Sequence, residues 1–329
     1  MTNSHAKLVD HVFDKNIERK PTRDGFGTGI VEAGKADPNV VVLCADLKES
    51  TRSDWFEKEF PDRFVEIGVA EQNMVGVAAG MAAAGKIPFI ASYAAFSPGR
   101  NYEQIRTTVA LNNRPVKVCG MHAGVSVGPD GATHQMLEDM GMMRMLPNMT
   151  VLNPGDAEEG RKAVVAAAKT GTPVYLRFGR SAVPTFTTPE TPFAIGKALT
   201  LWEDERPKVA IMATGALSYD ALVAARALSS DGIGVLVLHF ATVKPLDIEA
   251  AVAAAKRTGL VVTVEEHQVA GGFGGAVAEA LSEHHPVRLK RIGMQDEFGQ
   301  SGEPSELLEH YGLSASKIAA TVRTLISRA

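Results

Sequence analysis

The sequence predicts an α/β protein of two domains, each with a parallel or mostly parallel sheet between layers of helices. Short apolar runs of strand length alternate with helical patterns along the chain. The strand-like runs are apolar at successive positions, which is typical of parallel strands covered on both faces. The 329 residues exceed the usual size of one domain, and a Pro- and Thr-rich stretch at residues 184–192 divides the alternation.

The first predicted domain, residues 21–183, follows a polar N-terminal segment of residues 1–20. The expected strands are residues 40–45, 64–67, 87–91, 116–121, 149–153 and 174–178, and the expected helices are residues 24–35, 74–84, 101–111, 134–145 and 157–169. The helix at 74–84 is almost wholly Gly, Ala, Val and Met, so we expect it to be buried on all sides.

The second predicted domain, residues 194–329, follows a linker at residues 184–193 and is smaller. Its expected strands are residues 209–213, 234–239, 259–264 and 287–292, and its expected helices are residues 219–228, 247–256, 275–283 and 315–328. The glycine-rich stretch at 270–281 departs from the dinucleotide motif because Val277 stands at its third glycine. Tight strand-to-helix turns need glycine in any case, so nucleotide binding is not favoured.

Composition and charge exclude several classes of partner. The net charge is −4 and there is no basic run, so nucleic acid is not an expected partner. No apolar run is long enough to span a membrane, and the N-terminus lacks the apolar core of a signal peptide. Cys44 and Cys119 each end a strand-like run without a C-x-x-C spacing. We therefore expect reduced core cysteines in a cytoplasmic protein.

Polar clusters follow several predicted strands of the first domain, at the sheet edge where open α/β folds bind ligands. They are residues 46–50, Glu71, residues 122–134 and residues 177–180, with the aromatic residues Tyr93 and Phe96 between them. Singly, each has an ordinary explanation: an acid at a helix start, a turn, a packed histidine or aromatic core. Together they predict an active site. No metal-ligand spacing and no G-x-S-x-G motif occurs.

Three segments, IGVAEQNM, GPDGATHQ and YLRFGR, are similar in sequence, order and spacing to motifs of the transketolase family. The resemblance covers nearly the whole chain, since that family follows its pyrimidine-binding domain with a smaller C-terminal α/β domain. It implies thiamine diphosphate as cofactor, with Glu71 bonded to a ring nitrogen of the aminopyrimidine. Tyr93 and Phe96 match the aromatic residues that pack on this ring, and Asp46 matches an acid near the thiazolium side.

The same resemblance implies a sugar-phosphate site. Arg23, Ser50, His122 and Arg180 match residues that gather the sugar phosphate, and arginine forks suit phosphate oxygens. Asp130 and His134 match residues that hold the substrate hydroxyls. Glu71, His122 and His134 are then the expected catalytic residues. Pro129 departs from the family, in which an acid commonly precedes the D-G pair.

The diphosphate half of the family's cofactor site has no counterpart in this sequence. That half binds Mg²⁺ and the diphosphate through a G-D-G motif, which the chain lacks, and the first predicted domain begins soon after residue 20. We therefore expect a beta-type subunit of a split transketolase, active with an alpha-type chain in a two-plus-two assembly. A deoxyxylulose-phosphate synthase-like or specialised sugar-phosphate enzyme, and a non-catalytic scaffold subunit, remain alternatives. The intact site residues favour an enzyme.

Overall fold

Two large sheets organise the computed structural model, which describes residues 1–328. The strands are β1 Arg19–Pro21, β2 Val40–Cys44, β3 Phe64–Glu66, β4 Ile87–Tyr93, β5 Lys117–Met121, β6 Thr150–Leu152, β7 Val174–Arg177, β8 Ala182–Pro184, β9 Leu199–Glu203, β10 Val209–Ala213, β11 Val235–His239, β12 Thr242–Lys244, β13 Leu260–Gln268 and β14 Arg288–Met294. Both large sheets are mainly parallel, and the predicted α/β class is confirmed.

The first sheet has seven strands in the order β12-β6-β7-β5-β4-β2-β3. All neighbours are parallel except β12, which runs antiparallel to β6. Every residue of β2, β5 and β7 is buried, as a sheet covered on both faces requires. The carboxyl ends of β2, β3, β4, β5 and β7 therefore lie along one edge. Strand β12 comes from the second half of the chain, and the sequence did not predict it.

Helices cover both faces of the sheets. They are α1 Thr22–Ala36, α2 Lys48–Thr51, α3 Ser53–Glu59, α4 Glu71–Ala83, α5 Tyr102–Gln104, α6 Asp139–Arg144, α7 Ala157–Ala168, α8 Leu217–Ser230, α9 Ile248–Thr258, α10 Phe273–His284, α11 Pro304–His310 and α12 Ala315–Ser327. Helices α1 and α7 pack backbone against backbone at Gly25. A Cβ at this position would lie only 2.1 Å from the carbonyl oxygen of Ala157. None of the helices within residues 1–328 is long and apolar enough to cross a bilayer.

The prediction that helix α4 is buried on all sides is wrong. Met74, Val75 and Ala78 are buried against the first sheet, whereas Gly76 and Gly80 on the opposite face are exposed. A helix packed on one sheet buries one face. Residues as small as Gly and Ala give no apolar stripe from which the buried face could be read.

The expected helix at 134–145 is shortened to α6, and residues 131–138 are irregular. The side chain of Gln135 bonds the carbonyl oxygens of Val125 and Gly128, and Arg177 Nη2 donates to the carbonyl oxygen of Met136. Side-chain partners thus replace helical backbone bonds in this segment. The expected helix at 101–111 is α5 followed by a π-helix, Ile105–Ala110.

The second large sheet has the order β14-β13-β10-β11-β9, with only β9 antiparallel to its neighbour. The glycine-rich loop before α10 encloses an acid of the chain itself. The buried carboxylate of Glu265 accepts the N–H groups of Phe273 and Gly274 at 2.6 and 2.7 Å. This carboxylate fills the anion-binding position at the start of α10.

The predicted linker at 184–193 is packed against the first domain. The buried Asp156 carboxylate accepts the backbone N–H groups of Phe186 and Thr187 at 2.8 and 2.7 Å. Both cysteines are buried with free thiols, in agreement with their predicted core positions.

A charged pair lies buried between β7 and α6. Arg177 Nε donates to Asp139 Oδ2 at 2.8 Å, and the Tyr175 hydroxyl donates to the same oxygen at 2.6 Å. All three side chains are buried. Burial and the neighbouring carboxylate raise the pKa of Tyr175 well above its usual value, so its hydroxyl keeps its proton and acts as a donor.

We expect Asp139→Ala to lower the free energy of unfolding by about 3–5 kcal/mol, because it leaves the buried Arg177 without its partner. Tyr175→Phe, the control, removes one neutral donor and should cost only about 1 kcal/mol. Urea unfolding at pH 7, followed by circular dichroism, measures both losses. Equal losses in the two variants would contradict an essential buried pair.

Candidate active site

The loops after β2, β3, β4, β5 and β7 bring most of the predicted site residues into contact. Glu71 begins helix α4, the helix that follows β3, and its side chain is buried. Its Oε1 accepts a hydrogen bond from Arg100 Nη1 at 2.9 Å, and its backbone carbonyl accepts one from Asn101. Oε2 makes no hydrogen bond to the described residues, and it remains available to bond a ligand.

An aromatic group lies beside this acid, as the sequence predicts. Tyr93 and Phe96 stack with ring centroids 5.7 Å apart, and the guanidinium of Arg100 lies 4.0 Å above the Phe96 ring. His122 meets Tyr93 edge-on at 4.0 Å, and His134 meets Phe96 at 5.5 Å. Arg100 thus links the carboxylate of Glu71 to the aromatic group.

His122 is a neutral hydrogen-bond donor in this arrangement. Its Nε2 lies 2.7 Å from Arg23 Nη1, and a guanidinium can only donate, so Nε2 accepts and Nδ1 carries the proton. Burial, followed by the charges of Arg23 and Arg180, lowers the pKa of His122 to about 3. The ring therefore stays uncharged near neutral pH.

Two buried donors on these two contacting side chains lack a partner among residues 1–328. They are the Nε of Arg23 and the Nδ1 of His122. Buried polar groups are ordinarily hydrogen-bonded, so a pair of unused donors at a sheet edge indicates a ligand with acceptor oxygens. Arg23 Nη1 also donates to the backbone carbonyl of Ser50 at 2.8 Å, which brings this predicted residue into the group through its main chain.

Arg180 and Asp130 form an ion pair at the same edge. Arg180 Nη1 lies 3.2 Å from Asp130 Oδ1 and donates to the carbonyl oxygen of Val127 at 2.9 Å. Both ion-paired side chains are about one-third exposed, at 38% and 33%. They are therefore open to a ligand arriving from solvent.

Asp46 stands apart from the other predicted site residues. It is exposed, has a φ of 58°, and its N–H donates to Glu66 Oε1 at 2.8 Å. The same Glu66 oxygen accepts the N–H of Gly68 at 2.9 Å. Asp46 therefore borders the loop that leads to Glu71, and no described hydrogen bond joins its carboxylate to the other site residues.

Sequence reasoning missed three residues that hold this site in place. Arg100 binds Glu71, Gln135 binds the loop at 125–130, and Glu266 accepts the N–H of Ser126. Glu266 comes from β13, 140 residues along the chain from Ser126, and no local pattern connects the two. The adjacent acids Glu265 and Glu266, which directly follow the predicted strand at 259–264 and lie inside β13, were the visible signal in the sequence.

The arrangement fits the aminopyrimidine end of a thiamine cofactor. A ring nitrogen needs a carboxyl oxygen, which Glu71 Oε2 offers, and an aromatic ring needs an apolar face, which Tyr93 and Phe96 offer. The diphosphate end does not fit in the same way. Within the described part of the chain, no group of three His, Cys, Asp or Glu side chains could hold a metal ion.

Comparison with known families agrees with this geometry. The family model described as "Transketolase, pyrimidine binding domain" matches residues 18–185, and "Transketolase, C-terminal domain" matches residues 196–318. A relative from Methanocaldococcus jannaschii, "Putative transketolase C-terminal section", is 43% identical over 92% of this chain and 95% of its own length.

The chain belongs to the transketolase family.

Further relatives differ in length and in name. The "6-deoxy-6-sulfo-D-fructose transketolase subunit SqwH" of a Clostridium species is 39% identical over 97% of this chain and 99% of its own length. Human transketolase is 36% identical over 94% of this chain, which spans only 49% of the human protein. Among solved structures, "Split gene transketolase, inactive beta4 tetramer" has a TM-score of 0.86 and 44% identity, covering 92% of this chain and 97% of that one.

The pKa of His122 is predicted to rise towards its usual value in Arg23→Met, because the nearest positive charge is removed while burial remains. In the unaltered chain, the stability associated with neutral His122 is present above pH 6.5 and is lost as the pH falls towards 3. Histidine ¹⁵N resonances across a pH titration report both tautomer and charge, with the exposed His284 as internal reference. Charged His122 at pH 6 would contradict the neutral donor.

Proposed function

We propose that this transketolase-family chain is the beta-type subunit of a split transketolase. It would transfer a two-carbon ketol group between a ketose phosphate and an aldose phosphate. The observation that carries the proposal is that two sets of groups lie at one sheet edge: a buried acid with an aromatic group, and the two unused donors on Arg23 and His122. The acid and aromatic group suit the aminopyrimidine of thiamine diphosphate. The two donors suit phosphate or sugar oxygens. The chain's free buried thiols agree with a cytoplasmic location.

Thiamine diphosphate, when bound, supplies the electron sink that breaks the carbon–carbon bond of the ketose. This chain's residues bind and orient the reactants. Glu71 Oε2 would share a proton with the ring nitrogen of the aminopyrimidine, and Arg100 fixes the other carboxylate oxygen. Tyr93 and Phe96, which stack on each other, would pack against the ring and keep water from it. By the family resemblance, Asp46, which borders the loop that leads to Glu71, would lie towards the thiazolium ring.

The residues that bind the substrate form two sets, one for its phosphate and one for its hydroxyl groups. Arg23 Nε, His122 Nδ1 and the exposed part of Arg180 donate to the phosphate, with Ser50 at the margin. Neutral His122 donates a hydrogen bond and keeps its proton. Its role is therefore to orient the substrate during proton transfer. Asp130 and His134 accept or donate to the sugar hydroxyls and hold the carbonyl at the cofactor.

We assign Mg²⁺ and the diphosphate to an alpha-type chain. Transketolases depend on thiamine diphosphate and typically on Mg²⁺. The described residues here offer no metal cluster, and the chain spans about half of human transketolase. The names of a relative, "Putative transketolase C-terminal section", and of a similar solved structure, "Split gene transketolase, inactive beta4 tetramer", support a chain that needs such a partner. By analogy with the family, the assembly would hold two chains of each type.

A specialised sugar substrate is the second candidate. Two relatives of near-equal length are named for unusual sugars, 6-deoxy-6-sulfo-D-fructose and apulose 4-phosphate, at 39% and 38% identity. Sulfonate and phosphate are both tetrahedral anions that arginine donors bind, so the donors described above suit either one. The preferred donor and acceptor sugars distinguish the candidates.

We predict that the chain alone has no ketol-transfer activity and that an alpha-type chain restores it. The measurement is a coupled transketolase assay with xylulose 5-phosphate and ribose 5-phosphate, with and without the second chain, thiamine diphosphate and Mg²⁺. Glu71→Gln, assayed together with the second chain, is the negative control. It should assemble normally and lose about a hundredfold or more in turnover, as expected when an acid–base group is removed. Full activity of the chain alone would overturn the assignment to a split enzyme.

Arg180→Ala should weaken the use of phosphorylated donors selectively. The lost charged hydrogen bond should cost about 2–3 kcal/mol in kcat/KM for a ketose phosphate. Hydroxypyruvate, which lacks a phosphate, should lose far less. Exposed Arg106, outside the site, provides the matched control Arg106→Ala. Equal losses with both donors would limit Arg180 to its ion pair with Asp130.

A further inference from the structure

We propose that Glu266, in the C-terminal domain, is a positioning residue that sets the shape of the substrate loop at residues 125–130. The inference rests on the proposed function, because it assigns this loop to the sugar-phosphate site. It gives the C-terminal domain a part in substrate binding, although none of its side chains was predicted to belong to the site.

The contact from Glu266 to the loop is direct and closely fitted. Glu266 Oε1 accepts the backbone N–H of Ser126 at 2.5 Å, and residue Glu266 is 8% exposed. Gly124, just before the loop, has a φ of 93°, and a Cβ there would lie 2.4 Å from the same carboxylate oxygen. The carboxylate therefore approaches the chain at a point where only glycine fits.

The C-terminal domain also holds the far end of the loop. Ser301 Oγ donates to the carbonyl oxygen of Pro129 at 2.7 Å. Gln135 Nε2 donates to the carbonyl oxygens of Val125 and Gln300, at 3.0 and 2.9 Å, and so bridges the loop and the C-terminal domain. The loop is thus held at its beginning and its end by groups from residues beyond 260.

The same loop positions the proposed phosphate-binding arginine. Its Val127 carbonyl and Asp130 carboxylate both accept from Arg180 Nη1. Ser181, the next residue, donates through Oγ to the carbonyl oxygen of Ser126 at 2.6 Å. A shift of Ser126 therefore moves two of the contacts that orient Arg180 and Asp130. Glu266 acts on the substrate through this loop and does not reach it.

The backbone of Glu266 is itself fixed from the first domain. Its carbonyl oxygen accepts from Arg177 Nη2 at 2.9 Å, and Arg177 is paired with Asp139. The backbone that carries the carboxylate is thus held rigidly, as a positioning group requires. A purely structural role would also use this rigidity, so the test must separate substrate binding from stability.

The experiment compares Glu266→Ala, Glu266→Gln and Glu265→Ala in the assembled enzyme. Glu265 is the neighbouring buried acid, but it caps α10 and does not touch the loop. We expect Glu266→Ala to raise KM for a ketose phosphate about tenfold, a loss typical of one hydrogen bond to a charged group, with kcat changed by less than about twofold. Glu266→Gln, whose amide oxygen still accepts the Ser126 N–H, should recover most of the affinity.

A second readout does not depend on transketolase activity. Titration of the beta-type chain with inorganic phosphate, followed at the His122 ring resonances, should show weaker binding in Glu266→Ala than in Glu265→Ala. Ser301→Ala, a change at an exposed residue, should alter binding in the same direction and keeps the test valid if Glu266→Ala does not fold.

Unchanged KM and unchanged phosphate affinity in a folded Glu266→Ala protein would overturn the proposal. So would equal effects of Glu265→Ala and Glu266→Ala, since both would then act through stability. If the assembled enzyme has no ketol-transfer activity but phosphate binding still responds to Glu266, the proposed function fails and the positioning role stands.

Discussion

The buried guanidinium of Arg177 is the group on which the relation between the two halves of the chain depends. It lies at the end of a central strand and bonds Asp139, the carbonyl oxygen of Met136 and the carbonyl oxygen of Glu266. A buried charge must be satisfied in several directions at once, so these partners cannot shift independently. The irregular segment before α6 and the end of β13 are thereby fixed to the sheet edge that carries the site.

Much of the fold follows from the period and length of apolar runs. The central strands β2, β5, β7, β10 and β11 are buried at every residue, and local sequence suffices to find such strands. Elements that depend on distant partners were not found. Strand β12 has three residues and exists because β6 offers it an open edge, and helix α4 has no apolar stripe that shows which face it buries.

The site was predictable as a set of residues and less so as a set of contacts. Motif resemblance named Glu71, His122 and Arg180, and most residues predicted with them meet at one sheet edge. The protonation and tautomer of His122 follow from Arg23, which packs against it only in the fold. Glu266 fixes the substrate loop through its contact with Ser126. The two residues lie 140 positions apart in the chain, so no local window of sequence contains both.

The contribution of β12 to the first sheet has a consequence during synthesis on the ribosome. Translation proceeds from the N-terminus, so β6 emerges with one edge open and stays so until Lys244 has been made. An open edge presents unpaired N–H and C=O groups to any passing strand. Strands β9, β10 and β11 all emerge before β12 closes that edge. The two halves therefore do not mature as successive independent units: the nascent first sheet is complete only after much of the second has been translated.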